Sequence, residues 1–72
     1  MTYIGIDVSK DSFVAAYPSK CGYTTKTFLN TTSGVRKFID SLPADCHCVM
    51  EATGNYSMLL LYLLQEANIL VS

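Results

Sequence analysis

Apolar and polar positions alternate from Tyr3 to Val8, with Ile4, Ile6 and Val8 on one side and Tyr3, Gly5 and Asp7 on the other. That two-residue repeat predicts an extended strand. The polar turn Ser9-Lys10-Asp11-Ser12 separates it from a second strand, Phe13 to Tyr17, closed by Pro18. So short a connection makes the pair antiparallel. After a turn at Ser19 to Gly22, the run Tyr23 to Leu29, rich in Thr and aromatics, reads as a third strand folding back on the second.

The period then changes. Asn30-Thr31-Thr32-Ser33 are cap-forming residues, and Val35, Phe38, Ile39 and Leu42 recur at i, i+3, i+4 and i+7. This predicts a helix with one apolar stripe, stopped by Pro43, with Arg36, Lys37 and Asp40 on its wetter side. Cys46 to Ala52 is short and nearly uncharged until Glu51, which suits a buried fourth strand. Thr53-Gly54-Asn55 predicts a tight turn into a helix from Tyr56 to Ala67, capped by Asn68, and Ile69-Leu70-Val71 begin a fifth strand. The order β-β-β-α-β-α-β, with helical crossovers that make the last strands parallel to the first, predicts an α/β fold with a mixed sheet in the order 3-2-1-4-5. The sequence stops inside or at the end of the fifth strand, so residues 1–72 read as the front piece of a longer protein.

Composition narrows the function. Seventy-two residues, half of them apolar, make one unit with a small core. Five Lys plus Arg against six Asp plus Glu, net charge −1, exclude a broad electropositive surface, so any nucleic-acid contact has to be local or metal-assisted. Three cysteines, Cys21, Cys46 and Cys48, are a poor disulfide framework, and the start lacks the basic segment of a signal peptide. A reducing cytoplasm is therefore expected. The longest apolar run, Met58 to Leu64, is far below the roughly 20 residues of a membrane span.

Two carboxylates stand out. Asp7 lies inside an otherwise apolar strand and Glu51 at the exit of another. An isolated buried carboxylate is costly unless it is paired, hydrogen-bonded or bound to a metal. In the order 3-2-1-4-5 their strands are neighbours, about 4.8 Å apart. Converging carboxylates suit Mg²⁺ or Mn²⁺, and such ions can activate a nucleophile and stabilise the leaving oxygen of a phosphodiester. The plainer alternative is that Asp7 caps a turn and Glu51 the following helix.

Other features carry milder readings. Lys10, and the turn of Thr53, Gly54 and Asn55 at a helix start, are candidate phosphate contacts or simply turn residues. Ser9 reads as a turn residue. In Cys46-His47-Cys48 the alternation sends the two thiols one way and the imidazole the other, so the three are not one zinc site, and the cysteines read as small core residues. The five tyrosines and three phenylalanines, at strand and helix spacing, read as core rather than as base-stacking platforms. The second helix is apolar almost all round, which predicts self-association through exposed leucines.

Gly5-Ile6-Asp7-Val8-Ser9-Lys10, Asn30-Thr31 before a helix, and Met50-Glu51-Ala52-Thr53-Gly54-Asn55-Tyr56 together resemble the amino-terminal part of the DEDD transposases of the insertion-sequence-110 group. The resemblance covers essentially the whole chain. It implies a RuvC-like, RNase H-like fold and a recombinase that cuts and joins DNA with divalent metal. It makes Asp7 and Glu51 the first two acids of the DEDD set, hence metal ligands and catalytic residues. The other two aspartates, a carboxy-terminal domain with a serine for strand joining, and the binding of a structured RNA belong to segments that this sequence does not contain. The resemblance thus implies an enzyme that is incomplete in this fragment, with DNA as partner and homo-oligomerisation expected. Two alternatives stand beside it: an RNase H-like module for assembly or DNA positioning, and an actin or sugar-kinase type ATPase. Val8-Ser9-Lys10 lacks the glycine that the ATPase needs after its aspartate.

Overall fold

A computed structural model describes residues 1–52 and 55–72. The first strand, β1 (Thr2–Val8), leads into β2 (Ser12–Ser19) and β3 (Gly22–Leu29). Helix α1 (Thr32–Asp40), strand β4 (Cys46–Ala52), helix α2 (Met58–Glu66) and the short β5 (Leu70–Val71) follow. The sheet has the order β3-β2-β1-β4-β5. β2 runs antiparallel to β1 and β3, while β4 is parallel to both β1 and β5. This is the mixed α/β sheet predicted from the sequence, consistent with an RNase H-like fold.

Alternation decides which face each strand buries. Ile4, Ile6, Val8, Phe13, Ala15, Cys46 and Cys48 are buried on one face, and Val35 and Phe38 of α1 with Leu60 and Leu64 of α2 complete the same core. At its centre the Phe13 and Phe28 rings stack at 5.4 Å, and Phe38 meets both edge-on at 5.2 and 5.3 Å. Edge-to-face packing of this kind adds about 0.5–1.5 kcal/mol per pair beyond the area it buries. The opposite face of the sheet is open, exposing Tyr3, Val14, Val49 and Leu70.

Helix α1 starts at the N-cap Thr31, whose Oγ1 accepts from the Gly34 N–H at 3.0 Å. Gly34 is there because nothing larger fits: a Cβ would lie 2.0 Å from the Leu29 carbonyl oxygen. The helix ends at Asp40, before Leu42, with the Ser41 hydroxyl donating to the Phe38 carbonyl. In α2 the ladder begins at Met58 rather than Tyr56, because Asn55 to Ser57 form a turn. Asn68 follows the helix with φ of 60°, the left-handed conformation of a helix stop.

Several expectations need correction. Pro18 does not close β2, which continues to Ser19. The β1–β2 ladder ends at Gly5 opposite Ala16, so Pro18 lies beyond it and pairs only with β3. Of the tyrosines only Tyr17 joins the core, while Tyr3, Tyr23, Tyr56 and Tyr62 are exposed. The leucines of α2 are not its exposed side: Leu60 and Leu64 are buried, Leu59, Leu61 and Leu63 half-buried, and Met58 and Tyr62 face water. Among the described residues no helix is long and apolar enough to cross a membrane.

Candidate active site

The parallel ladder of β1 and β4 sets Asp7 directly opposite Glu51. Partners opposite one another in a ladder project to the same face, so both carboxylates rise from the open side of the sheet. The expectation of burial is corrected here: Asp7 and Glu51 are exposed. The cause is the alternation itself, since Ile6 and Val8 turn toward the helices and Asp7 away from them. Neither acid therefore needs a partner to offset desolvation.

The two acids rim a shallow hollow of about 300 Å³ floored by Gly5, Val14, Ala16 and Val49. Its floor is apolar and, among the described residues, no Lys or Arg lines it, so the carboxylate oxygens of Asp7 and Glu51 are the charged groups at its rim. Hard carboxylate oxygens without a competing cation fit a divalent ion such as Mg²⁺ or Mn²⁺. Among the described residues no three His, Cys, Asp or Glu converge on a common point. A larger hollow between α1 and α2, about 440 Å³ and edged by Arg36, Asp40, Tyr62 and Glu66, mixes opposite charges and lies away from this pair.

The segments after β1 and β4 are tied together by a residue that the sequence reading treated only as a cap. The Asn30 Nδ2 donates to the Tyr56 carbonyl at 2.8 Å, to the Ser9 carbonyl at 3.2 Å and, more weakly, to the Lys10 carbonyl at 3.4 Å. Its backbone N–H donates to the Asp11 carbonyl at 2.9 Å. Ser9 is a turn residue, with its Oγ donating to the Ser12 carbonyl at 2.9 Å.

Lys10 is exposed in that turn, close in sequence to Asp7, and Asn55 is exposed in the turn before α2. Thr53 and Gly54, the other candidate phosphate contacts, lie outside the described residues. Cys46 and Cys48 point into the core, whereas the His47 ring meets Tyr3 at 5.5 Å, tilted by 30°, and hydrogen-bonds the Ser72 hydroxyl. Burial pushes the Cys48 thiol up to about 12, with Cys46 beside it adding to the effect, so this thiol is a protonated core group.

The family model of DEDD transposases of the insertion-sequence-110 type, described as Transposase, matches residues 4–72. The chain belongs to this family. Membership makes it a DNA transposase domain, with transposition and DNA recombination as its setting and DNA as its partner. The match spans both Asp7 and Glu51, the two acids that the ladder sets side by side. No curated protein matches the chain.

Proposed function

We propose that residues 1–72 supply the first part of an RNase H-like catalytic domain that cuts and joins DNA strands, with Asp7 and Glu51 as ligands of a divalent metal. The observation that carries this reading is the parallel register that places Asp7 opposite Glu51 on the open face. A bound Mg²⁺ or Mn²⁺ would polarise a phosphodiester oxygen and lower the cost of forming the attacking oxyanion. The chain's own contribution is positional. Two adjacent strands fix the acids, an apolar floor leaves the carboxylates without competing charge, and exposure on the open face gives a bulky polyanion access.

Lys10 and Asn55, in the turns after β1 and β4, are the groups of this region within the described residues best placed to meet a phosphate. Two acids are half of a DEDD set, so the 72-residue chain alone is expected to bind metal without cleaving DNA. Self-association completes the reading: Met58 and Tyr62 on α2 and Tyr3, Val14, Val49 and Leu70 on the sheet are exposed, and light scattering should show mass rising with concentration. A constant monomer mass would remove that element.

The test is a Mg²⁺ and Mn²⁺ titration of the wild type, Asp7→Asn and Glu51→Gln. Each substitution should weaken binding at least tenfold. Binding that is indifferent to both acids would favour the module for assembly or DNA positioning instead. Metal-dependent nicking of DNA by the pure chain, lost in Asp7→Asn, would show that two acids suffice.

A further inference from the structure

Asn30 stands between β3 and α1, remote in sequence from both acids, yet its side chain joins the two segments that leave the acid-bearing strands. Ser9 and Lys10 follow Asp7 by two and three positions, and Tyr56 lies on the path from Glu51 into α2. A single amide nitrogen thus joins the turn after β1 to the turn that enters α2. The contacts span 20 to 26 residues of sequence, so they close tertiary structure and do not merely shape a local turn.

Two further observations separate this from ordinary capping. The helix cap next door is already provided by Thr31, so Asn30 is free of that duty. The Asn30 Oδ1 is buried with no hydrogen-bond partner among the described residues. A buried acceptor left without a partner is costly, and such violations of local satisfaction concentrate where geometry serves function. The orientation of the amide follows from its neighbours, since three carbonyls demand the donor end.

We infer that Asn30 is a positioning residue: by clasping the turn after β1 to the entry of α2 it fixes the spacing of the Asp7 and Glu51 carboxylates toward a divalent cation. The inference rests on the metal-binding reading of those acids. It assigns Asn30 no contact with the ion. Removing the clasp leaves the body of the β1–β4 ladder in place and lets its last pair, Val8 with Ala52, fray, which loosens the adjoining Asp7–Glu51 pair.

The experiment measures Mn²⁺ affinity by electron paramagnetic resonance of the free ion in the wild type, Asn30→Ala, Asp7→Asn and Tyr17→Phe. Tyr17→Phe removes the 2.7 Å bond from Tyr17 Oη to Ser41 Oγ, far from the acids, and controls for a general loss of hydrogen bonding. Asn30→Ala should weaken Mn²⁺ about tenfold, with Tyr17→Phe at the wild-type value. If Asn30→Ala shows no cooperative thermal transition, Asn30→Ser takes its place with the same expected result. Asp7-dependent binding that the Asn30 variant leaves unchanged, or that Tyr17→Phe weakens equally, overturns the inference alone. Wild-type Mn²⁺ binding that Asp7→Asn does not reduce overturns the metal-site reading and the inference with it.

Discussion

Asp7 and Glu51 face one another across a parallel ladder, exposed, and among the described residues no basic side chain lines the hollow between them. Like charges directly opposite on neighbouring strands repel. A pair kept in this arrangement contributes nothing to stability, so removing either charge should not harm the fold. We expect Asp7→Asn and Glu51→Gln to unfold in urea within about 0.5 kcal/mol of the wild type, or slightly later. A loss above about 1 kcal/mol would mean that the acid holds the turn or the helix start instead.

Gly34 predicts a sharper penalty. With a Cβ only 2.0 Å from the Leu29 carbonyl oxygen, Gly34→Ala must push α1 away from the end of β3. Backbone cannot yield as a flexible side chain does, so we expect a loss of about 3 kcal/mol or more, above the usual range for overpacking. Circular dichroism on heating would read it as a much lower Tm. An unchanged Tm would mean that the helix start is not held against Leu29.

Phe38 is fully buried and meets Phe13 and Phe28 edge-on. Truncation to Ala removes the centre of the cluster at a cost of about 3–5 kcal/mol. A domain this small has little more than that in total. Phe38→Ala should therefore be largely unfolded at room temperature, with flattened near-ultraviolet circular dichroism and exchange-labile amides throughout β2 and β3.

The thiols should separate by environment. Cys21 is exposed at the β2–β3 hairpin, while Cys46 and Cys48 are buried, so a thiol reagent should label one site in the native protein and three after denaturation.

Alkali acts through Cys48. Burial first and the neighbouring Cys46 second push its folded thiol up from the ordinary 9.0 to about 12. Between those values the unfolded chain has lost a proton that the folded one keeps, so stability is full below about pH 9 and falls as pH rises toward 12. Cys48→Ala should flatten that part of the pH–stability curve; an identical curve would remove Cys48 as its cause.

Much of this was legible in the sequence because alternation is a strong constraint. Ile4, Ile6 and Val8 fix the buried face of β1, and Cys46 and Cys48 that of β4, so any register that satisfies both puts Asp7 and Glu51 on one side. Crossover helices then leave β1 and β4 as parallel neighbours. What stayed hidden was long-range or steric. That Asp7 is solvated depends on both helices choosing one face, which strand periodicity alone does not state. The proximity of Gly34 to Leu29 and the reach of Asn30 to Tyr56 depend on how α1 and α2 dock. Strand and helix spacing puts Tyr23 and Tyr62 in the core, yet β3 is a sheet edge and one side of α2 faces water.

The pairing of β1 with β4 has a kinetic corollary. Its two acids are forty-four positions apart, with β2, β3 and α1 between them. Closing so long a loop comes late, after the local hairpins have formed. Cation affinity should consequently emerge in the last phase of refolding, and a stopped-flow trace of Mn²⁺ uptake would clock the moment at which the crossover locks.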